Sequence, residues 1–226
     1  MTAAGLAVNR EAVIIGSLLL LLPGLVFTNF IRDIIAGDTT AGLSKMVEAL
    51  LITAAISGGV ALALSLGGLL FGALPAMAAL PHRSILLRSL LIGLTGIGSC
   101  LLLNTHGPGI LLSCLAALVG SAVNLGLAEA GWNIFICSLA AGAAISLYAE
   151  TMARIRKCPA ASYLIVAMYP LVPGSILFRA LNHALQGNSL LFLSTALQAI
   201  AIAGCLAAGT MIASTLFRLF QSRRFH

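Results

Sequence analysis

The chain has 226 residues, of which 60% are hydrophobic and only 8% are charged, and its formal net charge is +6. Soluble domains carry about 25% charged residues, so this composition excludes an ordinary soluble domain and predicts an all-α polytopic membrane protein embedded in a lipid bilayer. The basic residues lie at the ends of apolar runs and are not interleaved with aromatic residues, which argues against nucleic-acid binding.

Seven apolar stretches are long enough to cross a membrane, because about 20 residues of helix span the hydrocarbon core. The expected transmembrane helices are 11–31, 43–66, 84–103, 109–127, 132–150, 160–180 and 189–217. No small-x-small cleavage site follows Arg10 and the first stretch, so we expect this stretch to be retained and not removed as a signal peptide. The short segment 67–81, punctuated by Gly and Pro, extends the second span or forms a partly re-entrant linker.

Basic residues in short loops predict the orientation. The cluster "RIRK" (154–157) follows the fifth span, and Arg218, Arg223 and Arg224 follow the seventh. Because the fifth and seventh spans are two apart, both clusters lie on the same side, which the positive-inside rule assigns to the cytoplasm. We therefore expect a cytoplasmic C-terminus.

Two segments that lie 150 residues apart share a pattern. The matches, without a gap, are "LLPG" (21–24) with "LVPG" (171–174), Gly37-Asp38 with Gly187-Asn188, and Glu48-Ala49 with Gln198-Ala199. The second Pro-Gly span comes five spans after the first, and this odd number reverses its direction in the membrane. We therefore expect an incomplete inverted repeat, with about two spans of a partial first copy in residues 1–81 and about five spans of a second copy in residues 82–226.

Each copy interrupts a span with Pro-Gly, at Pro23-Gly24 and at Pro173-Gly174, and Pro170 adds a further break. Proline lacks an amide proton and glycine tolerates open conformations, so the pair frees backbone groups inside a span. Such groups are tolerated in a membrane only where protein or water satisfies them. Because inverted-repeat transporters bind substrates at discontinuous helices, two matched breaks predict a substrate site near the midplane. The alternative is a pair of proline kinks stabilised by packing.

The first copy also concentrates polar side chains, which are candidates for a substrate or ion pathway: Asn29, Arg32, Asp33, Asp38, Lys45 and Glu48. Glu48 lies among apolar residues, where a carboxylate is costly unless it is paired or protonated, so it is a candidate proton carrier. The alternative is an interfacial Glu48 paired with Lys45 or Arg32.

The second copy keeps polar residues but loses the acids. Its equivalents of the polar positions are Asn182, His183, Asn188 and Gln198. Any carboxylate that couples transport to protons is therefore expected in the first copy. Arg179, six residues after Pro173, either binds a ligand or extends its side chain to the membrane surface.

The sequence shows no constellation for catalysis or metal binding. The five cysteines form no CxxC pair, the four histidines have no ligand spacing, and no nucleophile has a base placed near it. We therefore expect neither an enzyme nor a bound cofactor or metal.

Two stretches carry a family resemblance: "LLPGLVFTNFIRDIIAGDTTAGLSKMVEALL" (21–51), and "NTHGPGILLSCLAALVGSAVNLGLAEAGWNI" (104–134) followed by "YPLVPGS" (169–175). The first resembles the hallmark motif of the bacterial threonine/serine exporter family, and the second is similar to that family's second domain. That domain also occurs as a small separate subunit in two-component relatives associated with succinate export. The resemblance implies an inner-membrane secondary transporter that exports threonine and serine by proton antiport, with a succinate-like dicarboxylate as the alternative substrate.

The chain departs from the family pattern in two ways. The family has two halves of five spans, whereas only about ten residues precede the first span here. The resemblance therefore implies that a second membrane subunit or a homo-oligomer supplies the missing helices, or that the chain is a non-transporting subunit of a partner. In addition, Lys45 stands where the family pattern implies Arg, which loses bidentate recognition of a carboxylate.

Overall fold

The computed structural model describes residues 16, 21, 23–71, 85–102, 107 and 109–222. Within these ranges the chain forms eight helices and no strand, which confirms the expected all-α class. The helices are α1 (Gly24–Ile35), α2 (Thr39–Phe71), α3 (Ile85–Leu102), α4 (Gly109–Glu129), α5 (Ile134–Arg156), α6 (Ala161–Met168), α7 (Gly174–Leu185) and α8 (Ser189–Ser222).

Four of the described helices are long and apolar enough to cross a membrane. The qualifying stretches are Thr39–Ala63 in α2, Gly109–Glu129 in α4, Ile134–Arg156 in α5 and Ser189–Phe217 in α8. A shorter apolar stretch, Leu91–Leu101, lies in α3. Of the first expected span, 11–31, the structure describes mainly the part from Pro23 onward. Of the segment 67–81, it describes the residues as far as Phe71, where α2 ends. The rest of both lies outside the described residues.

The expected sixth span, 160–180, is two helices and not one. It divides into α6 and α7, which are separated by the turn residues 169–173. Pro170 and Pro173 explain the division, because a proline inside a helix removes a backbone hydrogen bond and clashes with the preceding turn. The expected break of this span is therefore confirmed.

Local sequence fixes the ends of α5. The Asn133 side chain accepts a hydrogen bond of 3.1 Å from the Phe135 amide, so it caps the start of the helix. Lys157 ends the helix in the left-handed conformation with φ of 53°. Arg154 and Arg156 lie in the last turn, where positive charge interacts favourably with the helix dipole.

The helix–turn–helix unit α1–α2 reappears as α7–α8, shifted by 150 residues. Helices α1 and α7 both have 12 residues, and the φ and ψ angles are −80° and 41° at Pro23 and −76° and 36° at Pro173. Each unit turns at a glycine with positive φ, which is 91° at Gly37 and 77° at Gly187. The shift found in the sequence is thus also a match of backbone conformation.

Contacts between the units show that they run in opposite directions. Ile31 lies close to the turn of the first unit, yet its Cγ2 is 3.8 Å from the position of a Cβ on Gly204. Gly204 lies about 25 Å along α8 from the second turn, at a rise of about 1.5 Å per residue. In the same way Phe178, one turn after the start of α7, packs against Ile56 and Val60, which lie about 28 Å or more along α2 from the first turn. Parallel units would instead bring the two turns to the same level.

Helices α5 and α8 pack with their backbones almost in contact. A Cβ on Gly209 would lie 2.1 Å from the Leu139 carbonyl oxygen, and one on Gly142 would lie 2.5 Å from the Leu206 carbonyl oxygen. The Ser146 hydroxyl donates a 3.0 Å hydrogen bond to the Thr210 carbonyl oxygen across this interface. Small residues and interhelical hydrogen bonds are what hold helices together in a bilayer.

The basic segment at the end of α5 lies at the same end of the bundle as the end of α8. The Arg154 guanidinium carbon is 4.7 Å from the centre of the Phe217 ring, which joins the end of α5 to the end of α8. Because α8 runs from the second turn toward the level of the first, the turn at Gly37 lies at this end as well. Positive charge is thus concentrated at the end of the bundle where α1 meets α2.

Candidate functional site

The two Pro-Gly breaks meet inside the protein. A Cβ on Gly24 would lie 3.1 Å from the backbone nitrogen of Gly174 and 2.2 Å from Cγ1 of Val172. Pro23, Gly24, Pro173 and Gly174 are all buried. We call this place, where α1 and α7 begin against each other, the crossing. Only glycine at position 24 permits so close an approach of the two backbones.

Backbone amides at the crossing are left without helical partners, and of these the Gly174 amide donates instead to the Val172 carbonyl oxygen at 2.8 Å. The first intrahelical bonds run from the Phe27 amide to the Pro23 carbonyl at 2.9 Å and from the Leu177 amide to the Pro173 carbonyl at 3.0 Å. Neither proline position provides a side-chain cap. Because the first amides of a helix point along its axis and carry partial positive charge, two helix starts that meet form a suitable place for an anionic group such as a carboxylate.

The charged residues of the first copy lie away from the crossing. Asp33 is nine residues after Gly24, or about 13 Å along α1. Its carboxylate forms an ion pair with the Lys45 ammonium, which ties the end of α1 to the start of α2. The alternative in which Lys45 pairs with Glu48 is therefore wrong, because Lys45 pairs with Asp33 across the turn. Arg32 is exposed.

Asp38 caps a helix. Its Oδ1 accepts hydrogen bonds from the Ala41 amide at 3.0 Å and from the Thr40 hydroxyl at 3.3 Å. Asp38 and Asn188 hold the same position after a glycine with positive φ. The match of Gly-Asp with Gly-Asn between the copies is thus explained by the needs of a tight turn and a helix cap.

Glu48 is exposed on the surface of α2 and is not packed against another described helix. It forms no ion pair within the described residues, and the exposed side chains of Val47 and Leu51 lie beside it on α2. Its equivalent Gln198 is exposed on α8 as well. The residues around Glu48 in the sequence are apolar, as expected, but Val47 and Leu51 face outward together with Glu48.

The polar second-copy candidates on α7 lie beyond the crossing, toward the other end of the bundle, whereas Pro170 lies in the turn that leads into the crossing. Arg179 is exposed and Asn182 is half-buried on α7, and Pro170 is half-buried in the turn before it. The Nδ1 atom of His183 is buried with no hydrogen-bond partner in the described part of the chain. Since α1 and α7 start at the crossing and run in opposite directions, these residues do not join Arg32 and Asp33 in one cluster.

One residue at the crossing was missed by the sequence reading. Thr28 is 1% exposed, one turn after Gly24, and its hydroxyl has no hydrogen-bond partner among the described residues. Asn29, the neighbour that was predicted instead, is half-buried. The signal available in the sequence was the spacing of four residues from Gly24, which places Thr28 on the same helix face.

The described residues contain no group of three or more His, Cys, Asp or Glu side chains placed to hold a metal ion. The five cysteines are free thiols. The chemistry offered by the site is therefore that of backbone amides, hydroxyls and, at the two ends of the bundle, charged or amide side chains.

Family models of threonine/serine exporters match both parts of the chain. The family model described as "Threonine/Serine exporter, ThrE" matches residues 88–216, and a second model of threonine/serine exporters matches residues 1–67. No solved structure matches the chain.

Two relatives extend the match to almost the whole chain. The "Threonine/serine exporter" of Corynebacterium glutamicum is 27% identical over 224 residues, which cover 95% of this chain and 44% of the relative. The "Probable threonine/serine exporter" of Mycobacterium tuberculosis is 23% identical over 223 residues, which cover 92% of this chain and 42% of the relative. The chain thus spans less than half the length of the curated relatives it matches. With more than half of its residues matched by one family model, and its all-helical, membrane-spanning fold, the chain is a multi-pass membrane protein that belongs to the threonine/serine exporter family.

Proposed function

We propose that the protein is a secondary transporter of the bacterial inner membrane that exports threonine and serine by proton antiport. The observation that carries the proposal is the crossing, where two helix starts without side-chain caps meet in the protein interior. A zwitterionic amino acid has a carboxylate that suits these amides. A dicarboxylate would favour two cationic side chains, and the residues that form the crossing, Pro23, Gly24, Pro173 and Gly174, include none.

The opposed units support an alternating-access mechanism. We propose that α1–α2 and α7–α8 are the equivalent halves of an inverted repeat, whose boundary lies between Phe71 and Ile85. Rocking of one half against the other about the crossing would open the site first to one side and then to the other. The basic end of the bundle, with Arg154, would face the cytoplasm and take the C-terminus with it.

A reconstitution experiment tests the transport proposal. Proteoliposomes containing the full chain, with any subunit that co-purifies, are loaded with labelled threonine or labelled succinate, and efflux is measured with and without a pH gradient. We expect threonine efflux that accelerates when protons can enter in exchange. Succinate efflux in its place would establish the dicarboxylate alternative, and no efflux of either would refute the proposed function.

Glu48 is the proposed proton carrier, and its natural amide equivalent, Gln198, suggests the test. In Glu48→Gln we expect threonine exchange at equal pH to continue, while acceleration by a pH gradient is lost, because the amide cannot carry a proton. Glu129→Gln, at the exposed end of α4, is the control and should keep the acceleration. Unchanged coupling in Glu48→Gln would eliminate the proton-carrier role.

A second candidate function, that of a subunit which depends on a partner chain, is favoured by the surface of α2. Gly59 of α2 is equivalent to Gly209 of α8, yet Gly59 is exposed and a Cβ there would meet no atom of the described chain within 4 Å. Helix α5 covers Gly209, and no described helix covers Gly59. We propose that a second membrane subunit supplies a helix that packs on α2 as α5 packs on α8, and that coupling of transport to the pH gradient requires this assembly.

A further inference from the structure

Thr28 is one of three buried side-chain hydroxyls, with Ser57 and Ser113, that have no hydrogen-bond partner among the described residues. Other hydroxyls in the described helices donate to the carbonyl oxygen four residues earlier, at distances of 2.7–2.9 Å: Thr53, Thr95, Ser99, Ser121, Ser138 and Thr151. For Thr28 that carbonyl would be the one of Gly24, but the bond is absent, and Thr28 Oγ1 has no partner within the described residues. A buried hydroxyl without a partner costs free energy, so a reason for its position is needed.

The side chain of Thr28 leaves its helix on the face that meets the crossing, with its Cα–Cβ bond tilted toward it. Residues four apart lie on one face of a helix, and side chains lean toward the helix N-terminus. Thr28 therefore lies beneath Gly24 and leans toward it. The missing side chain of Gly24 would point at the backbone nitrogen of Gly174, only 3.1 Å away. The Thr28 side chain, which is 1% exposed, thus lies one helical turn from the place where two helix starts meet.

The second copy shows that this position does not require a hydroxyl for packing. Phe178 is the equivalent of Thr28, and it is 2% exposed and packed against Ile56 and Val60. The repeat therefore keeps a buried side chain at both positions but makes only one of them polar. An apolar side chain at position 28 would remove the unpaired hydroxyl, so the presence of Thr28 is explained if its hydroxyl binds a ligand.

We infer that the Thr28 hydroxyl binds the α-carboxylate of the exported amino acid at the crossing, together with first-turn amides of α1 and α7 other than that of Gly174. This assignment rests on the proposed function. The carboxylate oxygens accept hydrogen bonds from the hydroxyl and from the amides, and the partial positive charge of both helix starts stabilises the anion. Thr28 thereby makes the binding site asymmetric within an otherwise matched pair of units.

The test compares Thr28→Val, which removes the hydroxyl at nearly constant volume, with Thr28→Ser, which keeps it. In the proteoliposome assay we expect Thr28→Val to raise KM for threonine by about tenfold or more, because a hydrogen bond to a charged group is lost. Thr28→Ser should keep most of the affinity. The melting temperature of the unliganded protein should be unchanged or higher in Thr28→Val, whereas stabilisation by added threonine should be lost.

Thr53→Val is the matched control, because the Thr53 hydroxyl is buried but already bonded to the Ala49 carbonyl at 2.7 Å. It should leave KM unchanged. If wild-type protein exports threonine and Thr28→Val has the same KM, the assignment of Thr28 is overturned and the proposed function stands. If Thr28→Ser raises KM as much as Thr28→Val does, the hydroxyl is not the binding group. A wild-type protein that neither exports nor is stabilised by threonine overturns the proposed function and this assignment with it.

Discussion

Replacing Gly59 with alanine distinguishes a self-sufficient chain from one that requires a partner. In the described chain nothing lies within 4 Å of a Cβ at this position, so the substitution by itself meets no obstacle. Alanine favours helix over glycine by about 0.8–1 kcal/mol, so a chain without a partner on this face should be as stable as the wild type or slightly more stable.

The equivalent helix pair gives the magnitude expected if a partner is present. At Gly209 a Cβ would lie 2.1 Å from the Leu139 carbonyl oxygen and 3.1 Å from the Ala143 nitrogen. Carbon and carbonyl oxygen normally approach to about 3.3 Å, so the helices would have to separate by about 1 Å. Overpacking of this kind costs about 1–3 kcal/mol. A partner helix packed on Gly59 in the same way would lose that energy from association, which weakens binding about 5–150-fold.

The assay is native mass spectrometry of the tagged chain purified in mild detergent from its own host. We expect the wild type to carry a second, different membrane subunit and Gly59→Ala to lose it, while Gly98→Ala, which also has no atom within 4 Å, keeps it. Gly209→Ala should instead destabilise the chain itself. A wild-type complex that contains only copies of this chain, or a Gly59→Ala complex as stable as the wild type, would refute the reasoning.

Two further predictions concern the crossing and the first turn. Gly24→Ala should lower the free energy of unfolding by about 1–3 kcal/mol, because its Cβ would lie 2.2 Å from Cγ1 of Val172. Thermal unfolding in detergent measures this loss. An equally large loss in Gly98→Ala would contradict the prediction. Asp38→Ala should cost about 0.5–2 kcal/mol in the same measurement, whereas Asp38→Asn should cost little, because Asn caps helices equally well. Equal losses in both Asp38 variants would show that its charge matters more than its cap.

The positions of the breaks and turns were predictable because the chemistry that sets them is local. Proline cannot continue a helix and glycine adopts positive φ, so Pro23, Pro173, Gly37 and Gly187 determine backbone conformation almost regardless of their surroundings. This is why a shift of 150 residues, read from a few such positions, also relates the backbone angles of the two units.

The faces of the long helices were not predictable in the same way. In a water-soluble helix the buried face is apolar and the other face polar, but in a membrane both faces are apolar. The long helix α2 is therefore apolar on all sides, and the sequence did not show that Glu48 faces outward or that Lys45 reaches Asp33. The usable signal was residue size: buried positions hold small residues such as Ala49 and Thr53, and exposed positions hold leucine.

The exposure of Glu48 and the open surface at Gly59 have one explanation. The two residues are 11 positions apart, which is about three helical turns, so they lie on the same face of α2. Glu48 is nine residues into α2, about 14 Å along its axis, which is near the middle of a hydrocarbon core about 30 Å thick. A charged side chain that faces lipid at this depth costs about 2.5–3.5 kcal/mol on insertion scales.

A helix packed on Gly59 would extend along the same face and cover Glu48, which removes this cost if the carboxylate is protonated or paired at the interface. The proposed partner and the proposed proton carrier therefore depend on each other. If the partner subunit binds, the wild-type protein should show coupling to the pH gradient only in its presence. Because Gly59→Ala removes the covering helix and leaves Glu48 intact, it should abolish the pH-driven acceleration of threonine efflux as completely as Glu48→Gln does. Efflux from a Gly59→Ala protein that still accelerates with the gradient would separate the two roles and show that Glu48 functions without a partner.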